Sequence, residues 1–179
     1  ADNTLICQIR RGKRRPRGNL VAQMLCFQAG LEDACALRSL RISRIAVQPN
    51  WQQQGLGQRL ITKMKQQQIK QQGAVDFLSV SFGYTPELFA FWQKCGFILV
   101  HFSESKEASS GCYSVVGLCP LSGAGQAFVQ QAEKQFQRNL PLSFHPLATQ
   151  FARTEIDWTL DSMDWQSLTD FADFYLPLS

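Results

Sequence analysis

The segment from residue 42 to residue 61 restricts the fold of this chain more than any other. Residues 42–47 are apolar and rich in β-branched side chains, which predicts a strand. Residues 52–57 read Gln-x-x-Gly-x-Gly, and the helical pattern that follows places Leu56, Leu60, Ile61, Met64 and Ile69 on one face. A strand, a glycine turn and an amphipathic helix in this order are typical of an α/β sheet with parallel strands.

The glycine turn also predicts an anion site. The first helical turn after it carries no acidic side chain, and the free N–H groups and positive dipole end of a helix favour a pyrophosphate. Gly55 and Gly57 would let the backbone approach a ligand without an intervening Cβ. The dinucleotide-binding motif needs a third glycine where Leu60 stands, and the chain has no Gly-Lys-Ser/Thr of a P-loop. A tight turn without a ligand is the alternative.

Length and composition predict a globular chain with one core and an appendage. The chain has 179 residues, 45% of them hydrophobic, and no run approaches the roughly 20 apolar residues of a membrane span. No signal-peptide pattern is present. Because the sequence begins at Ala1 without a methionine, we expect a processed form or an excised piece.

Cysteine and histidine positions argue against a metal site. Six cysteines contain no Cys-x-x-Cys pair, and His101 and His145 lie far from any such cluster. Several cysteines stand in apolar surroundings, which is typical of buried, reduced thiols. We therefore expect a cytoplasmic protein without a structural metal.

The net charge of +4 is distributed unevenly. Residues 10–17 carry six positive charges and no negative one, whereas residues 154–179 carry six acids and no base. The basic block is suited to nucleic-acid phosphates. A solvated turn, or one that folds onto the acidic tail, is the alternative, and charge alone does not decide between them.

The remaining pattern predicts an α/β fold with a mixed, partly parallel sheet flanked by helices and a mainly helical C-terminal tail. Predicted strands are 77–82, 97–102 and 113–118; predicted helical segments are 19–30, 32–40, 85–95, 125–140 and 158–175, with a loop at 103–111 and a linker at 141–150. The change of character near residue 122 predicts domains at 1–122 and 123–179.

Taken together, the motifs resemble a known enzyme family. The Gln-x-x-Gly-x-Gly turn after a strand is similar to the acyl-CoA pyrophosphate loop of the GNAT superfamily of N-acetyltransferases. Five further blocks, in this order, closely resemble the bacterial tRNA(Met) cytidine acetyltransferases: Arg14-Arg15-Pro16-Arg17-Gly18-Asn19-Leu20, Arg44-Ile45-Ala46-Val47, Ser79-Val80-Ser81-Phe82-Gly83-Tyr84-Thr85, Phe91-Trp92-Gln93-Lys94-Cys95-Gly96-Phe97 and Glu107-Ala108-Ser109-Ser110-Gly111-Cys112-Tyr113.

The resemblance implies an activity and a larger protein. Enzymes of this family transfer an acetyl group from acetyl-CoA to the exocyclic amine of the wobble cytidine of elongator tRNA(Met), giving N(4)-acetylcytidine. They carry an upstream, ATP-driven helicase-like module and further N-terminal strands. The chain would then be a C-terminal fragment holding most of the GNAT domain, without an ATP site, and activity of the fragment alone stays open.

The resemblance also implies site residues. It assigns acetyl-CoA binding to the strand end, the glycine turn and the next helix, namely Ile45, Ala46, Val47, Gln52, Gln53, Gln54, Gly55, Leu56, Gly57, Gln58, Glu87 and Lys94. Glu87 serving only its helix start, and Lys94 being solvated, are the alternatives. The basic block at residues 10–17, called the basic turn below, supplies Arg14, Arg15 and Arg17 as candidate tRNA contacts.

Acetyl transfer to cytidine sets its own requirements. The amine is a poor nucleophile because its lone pair is delocalised into the ring, so placement and a backbone N–H near Val47 as oxyanion donor should matter most. Tyr84 and Tyr113 are candidates for protonating the thiolate, and His101 and Glu107 for the base. Phe82, Tyr84 and Trp92 are candidates for stacking on the base. Packing is the alternative role for these side chains, and we assign no catalytic base.

Two other functions stay open from the sequence. A GNAT enzyme acting on a protein or small-molecule amine would not require the basic block. A non-catalytic module would instead dock tRNA or a partner without binding acetyl-CoA.

Overall fold

A computed structural model describes residues 2–71, 75–153 and 159–174 of the chain. Within these ranges there are four strands: β1 (Ser39–Ile42), β2 (Phe77–Gly83), β3 (Ile98–Lys106) and β4 (Tyr113–Pro120). The α-helices are α1 (Asn3–Arg10), α2 (Leu20–Gln28), α3 (Asp33–Ala36), α4 (Leu56–Lys70), α5 (Pro86–Lys94), α6 (Gly123–Asn139), α7 (Ala148–Phe151) and α8 (Ser162–Phe174). Short 3-10 helices cover Pro49–Trp51 and Leu140–Leu142. The Gly73 helix stop and residues 154–158 and 175–179 of the acidic tail lie outside the described residues.

The four strands form one mixed sheet in the order β1-β2-β4-β3. β1 runs parallel to β2, with Ser39 opposite Phe77 and Ile42 opposite Val80. β4 is antiparallel to both β2 and β3. Because a parallel pair needs a long connection, α4 lies between β1 and β2 in the chain. The predicted fold class, with its partly parallel sheet and mainly helical C-terminal part, is confirmed.

The first strand lies earlier in the chain than predicted. The strand expected at 42–47 is wrong: β1 is Ser39–Ile42, and the helical segment expected at 32–40 contracts to α3. Pairing with β2 ends at Ile42, and residues 43–48 adopt neither helix nor strand. The apolar side chain of Ile45 packs on the core instead. The apolar character of position 45 therefore reflects burial and not strand pairing.

The helix α4 buries a narrower face than predicted. Gly57 and Ile61 are buried and Met64 is half-buried, at the spacing i, i+4 and i+7. Leu60 and Ile69, which were expected on the same face, are more than half exposed. Trp92 packs in the core beneath the helix. The centroid of its ring lies 5.0 Å from those of Phe91 and Phe97.

The chain divides into two compact units, one of residues 1–37 with 138–179 and one of residues 38–137. The predicted domain boundary at residue 122 stays a prediction. In the first unit, Arg10 pairs with Glu32 at 2.6 Å and with Asp170 at 2.5 Å. Arg138 pairs with Asp161 at 2.8 Å and also with Asp164. One arginine of the basic block is therefore bound to the acidic tail.

No helix in the described part of the chain is both long and apolar enough to cross a membrane.

Asp76 joins three segments of the second unit. Its carboxylate accepts hydrogen bonds from the Arg38 N–H at 2.9 Å and from the Ser122 hydroxyl at 2.8 Å. Its carbonyl accepts the N–H of Leu121 at 2.8 Å and that of Ser122 at 3.2 Å. Burial raises the pKa of Asp76, but these hydrogen bonds and the charge of Arg38 outweigh it, so the pKa lies below its usual 3.8.

We expect Asp76→Asn to lower stability at neutral pH by about 1 kcal/mol or more, because hydrogen bonds to a charged acceptor are lost. Since the folded pKa is depressed, the carboxylate's contribution is present above its usual pKa of 3.8 and is lost as the pH falls through the folded value. Urea unfolding between pH 7 and pH 2.5 should show that the difference in unfolding free energy between the wild type and Asp76→Asn shrinks as the pH falls. Glu104→Gln, at an exposed position, is the control; a gap independent of pH would contradict this assignment.

Candidate functional site

A cavity of about 640 Å³ opens in the unit of residues 38–137 where the segment after β1, the glycine turn and the helix α5 meet. Its walls are formed by Ile45, Ala46, Val47, Trp51, Gln52, Gln53, Gly55, Leu56, Gly57, Gln58, Glu87, Leu88, Ala90, Phe91 and Lys94. The lining is apolar on the side of residues 45–47 and polar along the turn. Such a surface suits a ligand with both a flexible organic arm and an anionic group.

The glycine turn is held in place by its own side chains. The Gln52 Nε2 donates a hydrogen bond to the Val47 carbonyl at 2.9 Å, which ties the turn to the apolar wall. Gln53 and Gly55 adopt left-handed conformations, with φ of 61° and 74°. Gly55 is the N-cap of α4, and glycine takes that backbone conformation without strain.

The start of α4 presents unpaired donors. The first helical hydrogen bond runs from the Arg59 N–H to the Gly55 carbonyl at 3.0 Å. The N–H groups of Leu56, Gly57 and Gln58 precede this ladder, and no side chain caps them. All three residues line the cavity, and the first turn of α4 carries no acid. This end of the cavity is therefore suited to an anion.

Gly57 lines the cavity and also lies at a close contact between α4 and α5. A Cβ at this position would lie 3.0 Å from Cε2 of Phe91 and 3.9 Å from Cδ1 of Ile45. A side chain here would crowd the contact between α4 and α5, so close helix packing also favours glycine at this position. Its predicted role in admitting a ligand stays a prediction. At Gly55 a Cβ would come no closer than 4.0 Å to another atom, the Gln58 Oε1.

The opposite wall belongs to α5, whose start is fixed by sequence signals. The Thr85 hydroxyl accepts a hydrogen bond from the Leu88 N–H at 3.2 Å, and Pro86 occupies the first helical position. The predicted start is confirmed. Glu87, Phe91 and Lys94 follow at helical spacing and all line the cavity. Glu87 thus lies at the site as well as at the helix start, and Lys94 brings a positive charge to it.

The structure brings together every predicted acetyl-CoA residue except Gln54. The Gln54 side chain instead donates to the Asn50 carbonyl at 3.4 Å. Sequence reasoning did not assign four lining residues, namely Trp51, Leu88, Ala90 and Phe91. Trp51 directly precedes the predicted turn, and the other three share a face of α5 with Glu87 and Lys94. Helical spacing counted from Glu87 could have found Phe91.

The four candidate catalytic side chains lie elsewhere in the same unit. The Tyr84 N–H donates to the Tyr113 carbonyl at 2.8 Å, which places both tyrosines at one end of β2 and β4. His101 lies in β3 opposite Val116. Glu107 begins the turn between β3 and β4, where its N–H donates to the Cys112 carbonyl at 2.9 Å. Of the described residues that line the cavity, none is one of these four.

Two of the three aromatic stacking candidates belong to the core. Trp92 is buried, and its ring centroid lies 6.0 Å from that of Phe82. Both rings are thereby engaged in packing. Tyr84 is half-buried, with its ring centroid 6.2 Å from that of Phe89.

The candidate tRNA contacts lie in the other unit. Arg14, Arg15 and Arg17 are exposed on the loop between α1 and α2. The Arg15 guanidinium lies 5.3 Å from the centroid of the Phe27 ring. None of the six cysteines, all of which are described, forms a disulfide. The described residues contain no group of three or more His, Cys, Asp or Glu that could hold a metal ion.

Comparisons with known proteins agree with the resemblance in the sequence. Residues 63–122 match the family described as GNAT acetyltransferase 2. The tRNA(Met) cytidine acetyltransferase TmcA of Haemophilus influenzae is 61% identical over 178 residues, which cover 99% of this chain and 26% of that protein. The enzyme of the same name from Actinobacillus pleuropneumoniae is 51% identical over 90% of this chain and 28% of its own length.

Solved acetyltransferase structures align with part of the chain. The crystal structure of the ribosomal-protein-S18-alanine N-acetyltransferase from Escherichia coli aligns with a TM-score of 0.42 and 21% identity, over 47% of this chain and 55% of that one. The chain spans about a quarter of the length of the curated relatives it matches. Over nearly its whole length, this chain is similar to a part of the bacterial tRNA(Met) cytidine acetyltransferases, and its central residues match a GNAT acetyltransferase family.

Proposed function

We propose that the cavity binds acetyl-CoA, and that the chain is the donor-binding part of a cytoplasmic enzyme that acetylates the exocyclic amine of the wobble cytidine in elongator tRNA(Met). The observation that carries the donor assignment is the set of three uncapped N–H groups at the start of α4, on residues that line the cavity. The relatives' name supports the acceptor.

Each part of acetyl-CoA has a matching wall. The pyrophosphate fits the N–H groups of Leu56, Gly57 and Gln58. The amide-rich pantetheine arm fits residues 45–47, which leave the sheet after Ile42 and therefore have backbone groups outside the β1–β2 ladder. Lys94 adds a point charge for the phosphates of the nucleotide. Phe91 and Leu88 supply apolar contact area.

The chemistry requires alignment more than a strong base. The cytidine nitrogen forms a bond to the thioester carbon, the C–S bond breaks, the amine loses a proton and the CoA thiolate gains one. A backbone N–H near Val47 is suited to stabilise the developing oxyanion. The Gln52 side chain holds the Val47 carbonyl, and this contact fixes the backbone at that point. Tyr84 and Tyr113 remain candidates for the proton donor, and His101 and Glu107 for the base.

Transfer of a radiolabelled acetyl group from acetyl-CoA tests the proposal. We expect label in a tRNA(Met) transcript, recovered as N(4)-acetylcytidine, and none in a transcript whose wobble cytidine is replaced by uridine. Label on polyamines or peptides in place of the transcript would favour a GNAT enzyme with another acceptor. Binding of the transcript without binding of acetyl-CoA would indicate a docking module and contradict the proposal.

The basic turn should contribute to tRNA affinity through its charges. We expect the triple variant Arg14→Gln, Arg15→Gln, Arg17→Gln to weaken binding of the tRNA(Met) transcript. The slope of log K against log salt should become shallower by about 2 to 3, since each phosphate contact contributes roughly 0.7 to 0.9. Filter binding between 50 and 300 mM KCl measures both quantities.

A matched triple variant controls for the loss of net charge. Lys63, Lys70 and Lys134 are exposed cations in the other unit, and their replacement by glutamine should change the slope little. Equal slopes for the two triple variants would rule out the basic turn as the tRNA contact.

A further inference from the structure

A second cavity lies in the unit of residues 1–37 and 138–179, beside the loop that joins α1 to α2. Its volume is about 440 Å³, which is sufficient for a nucleoside. The lining consists of Ile9, Arg15, Pro16, Arg17, Leu20, Gln23, Met24, Phe27 and Gln28. None of these residues takes part in the acetyl-CoA cavity.

The interior of this second cavity is apolar and partly aromatic. Ile9 is buried, and Met24 and Phe27 are half-buried. Leu20 forms part of the lining although 61% of it is exposed. The Arg15 guanidinium lies 5.3 Å from the Phe27 ring centroid, within the range of a cation–π contact. A flat apolar ligand would therefore meet an aromatic ring and a guanidinium.

Arg15 and Arg17 bring positive charge to this cavity. Among the described residues, no carboxylate lies within ion-pairing distance of Arg15 or Arg17, whereas Arg10 of the same basic block pairs with Glu32 and Asp170. The loop is held by Gln23, whose Nε2 donates to the Pro16 carbonyl at 2.9 Å and to the Gly18 carbonyl. Two arginines are thus available beside an apolar interior.

We propose that this cavity takes one unpaired base of an RNA strand, while Arg15 and Arg17 contact the phosphates on either side of it. The inference rests on the proposed function for its choice of RNA. An apolar interior alone would suit any hydrophobic group. Arg15 and Arg17, which have no carboxylate partner among the described residues, favour a ligand that carries phosphates next to a flat ring. Bases in a duplex are already stacked, so the base must be unpaired.

The test compares a fluorescent single-stranded octanucleotide with the same strand lacking one central base. We expect the wild-type chain to bind the complete strand about tenfold more tightly, as base stacking typically provides. Leu20→Glu should remove this preference, because it places a negative charge beside the apolar interior. Leu60→Glu is the matched control, since Leu60 is 56% exposed on α4. Leu20→Ala, which adds no charge, should give a smaller loss in the same direction.

Variants of Arg15 and Arg17 separate the phosphate contacts from the binding of the base in the cavity. Arg15→Gln with Arg17→Gln should make the salt slope shallower by about 1 to 2 and leave part of the preference for the complete strand. Equal binding of complete and abasic strands by the wild type would overturn the proposal, as would equal effects of Leu20→Glu and Leu60→Glu. So would a Leu20→Glu defect confined to binding of anionic lipid vesicles.

Acetyl-CoA titration keeps this proposal distinct from the proposed function. Leu20→Glu should bind acetyl-CoA as the wild type does, because Leu20 is absent from the donor cavity. If the wild type fails to bind acetyl-CoA but still prefers the complete strand to the abasic one, the result would contradict the donor site and support the RNA cavity.

Discussion

Replacing Gln58 with glutamate is expected to weaken acetyl-CoA binding by at least tenfold without lowering the stability of the chain. Gln58 lines the donor cavity in the first turn of α4. A carboxylate there would repel a pyrophosphate held by the same N–H groups. At about 4 Å two unit charges near a protein surface interact by roughly 4 kcal/mol, so even strong screening leaves about 1.4 kcal/mol, a factor of ten. The same carboxylate stabilises a helix N-terminus by about 0.3–1 kcal/mol.

The opposite signs of these two effects make the test specific. Gln67→Glu introduces the same charge on an exposed turn of the same helix, far from its start, and should leave the affinity unchanged. Isothermal titration gives the affinities and thermal unfolding gives the stabilities. Equal affinities for wild type and Gln58→Glu would mean that the pyrophosphate does not lie at the start of α4.

Gly125→Ala should destabilise the chain by about 3 kcal/mol or more, a large part of the roughly 5–15 kcal/mol that stabilises a typical domain. A Cβ at this position would lie 1.9 Å from the Asp76 carbonyl oxygen and 2.7 Å from its carbon. Backbone atoms cannot rotate away as a side chain can. The Asp76 carbonyl is further fixed by the N–H groups of Leu121 and Ser122. The helix α6 would therefore have to move.

Gly123→Ala provides the matched control for this loss. A Cβ at Gly123 would meet no atom within 4 Å, and alanine is favoured over glycine in helices by up to about 1 kcal/mol. Urea denaturation should thus show opposite changes for two substitutions two residues apart. A loss below about 1 kcal/mol for Gly125→Ala would show that α6 adapts to the added methyl group.

Elements with strong local signals were predicted well from the sequence. The helix α5 has a capping threonine and a proline at its first position, and β2 is a short apolar run between turns. The strand β1 was misplaced because its extent depends on pairing with β2, which follows it by more than thirty residues. Residues 45–47 are as β-prone as Ser39–Ile42, so propensity alone could not show where the chain leaves the sheet.

The site was predicted in the same uneven way. The glycine turn is contiguous and its spacing is informative, and the structure gathers its residues around one cavity except for Gln54. The contact between Gly57 and Phe91 joins two helices through tertiary packing, which spacing within one segment does not encode. Leu60 was placed on the wrong side because the buried face of α4 is set by Gly57 and Ile61.

We propose that the start of α4 binds the pyrophosphate of acetyl-CoA. Isothermal titration of the wild-type chain with acetyl-CoA and with S-acetylpantetheine, which shares the acetylated arm but lacks the pyrophosphate and the nucleotide, tests it most directly. We expect acetyl-CoA to bind at least tenfold more tightly than S-acetylpantetheine. Equal affinities for the two compounds, or no binding of acetyl-CoA, would contradict it.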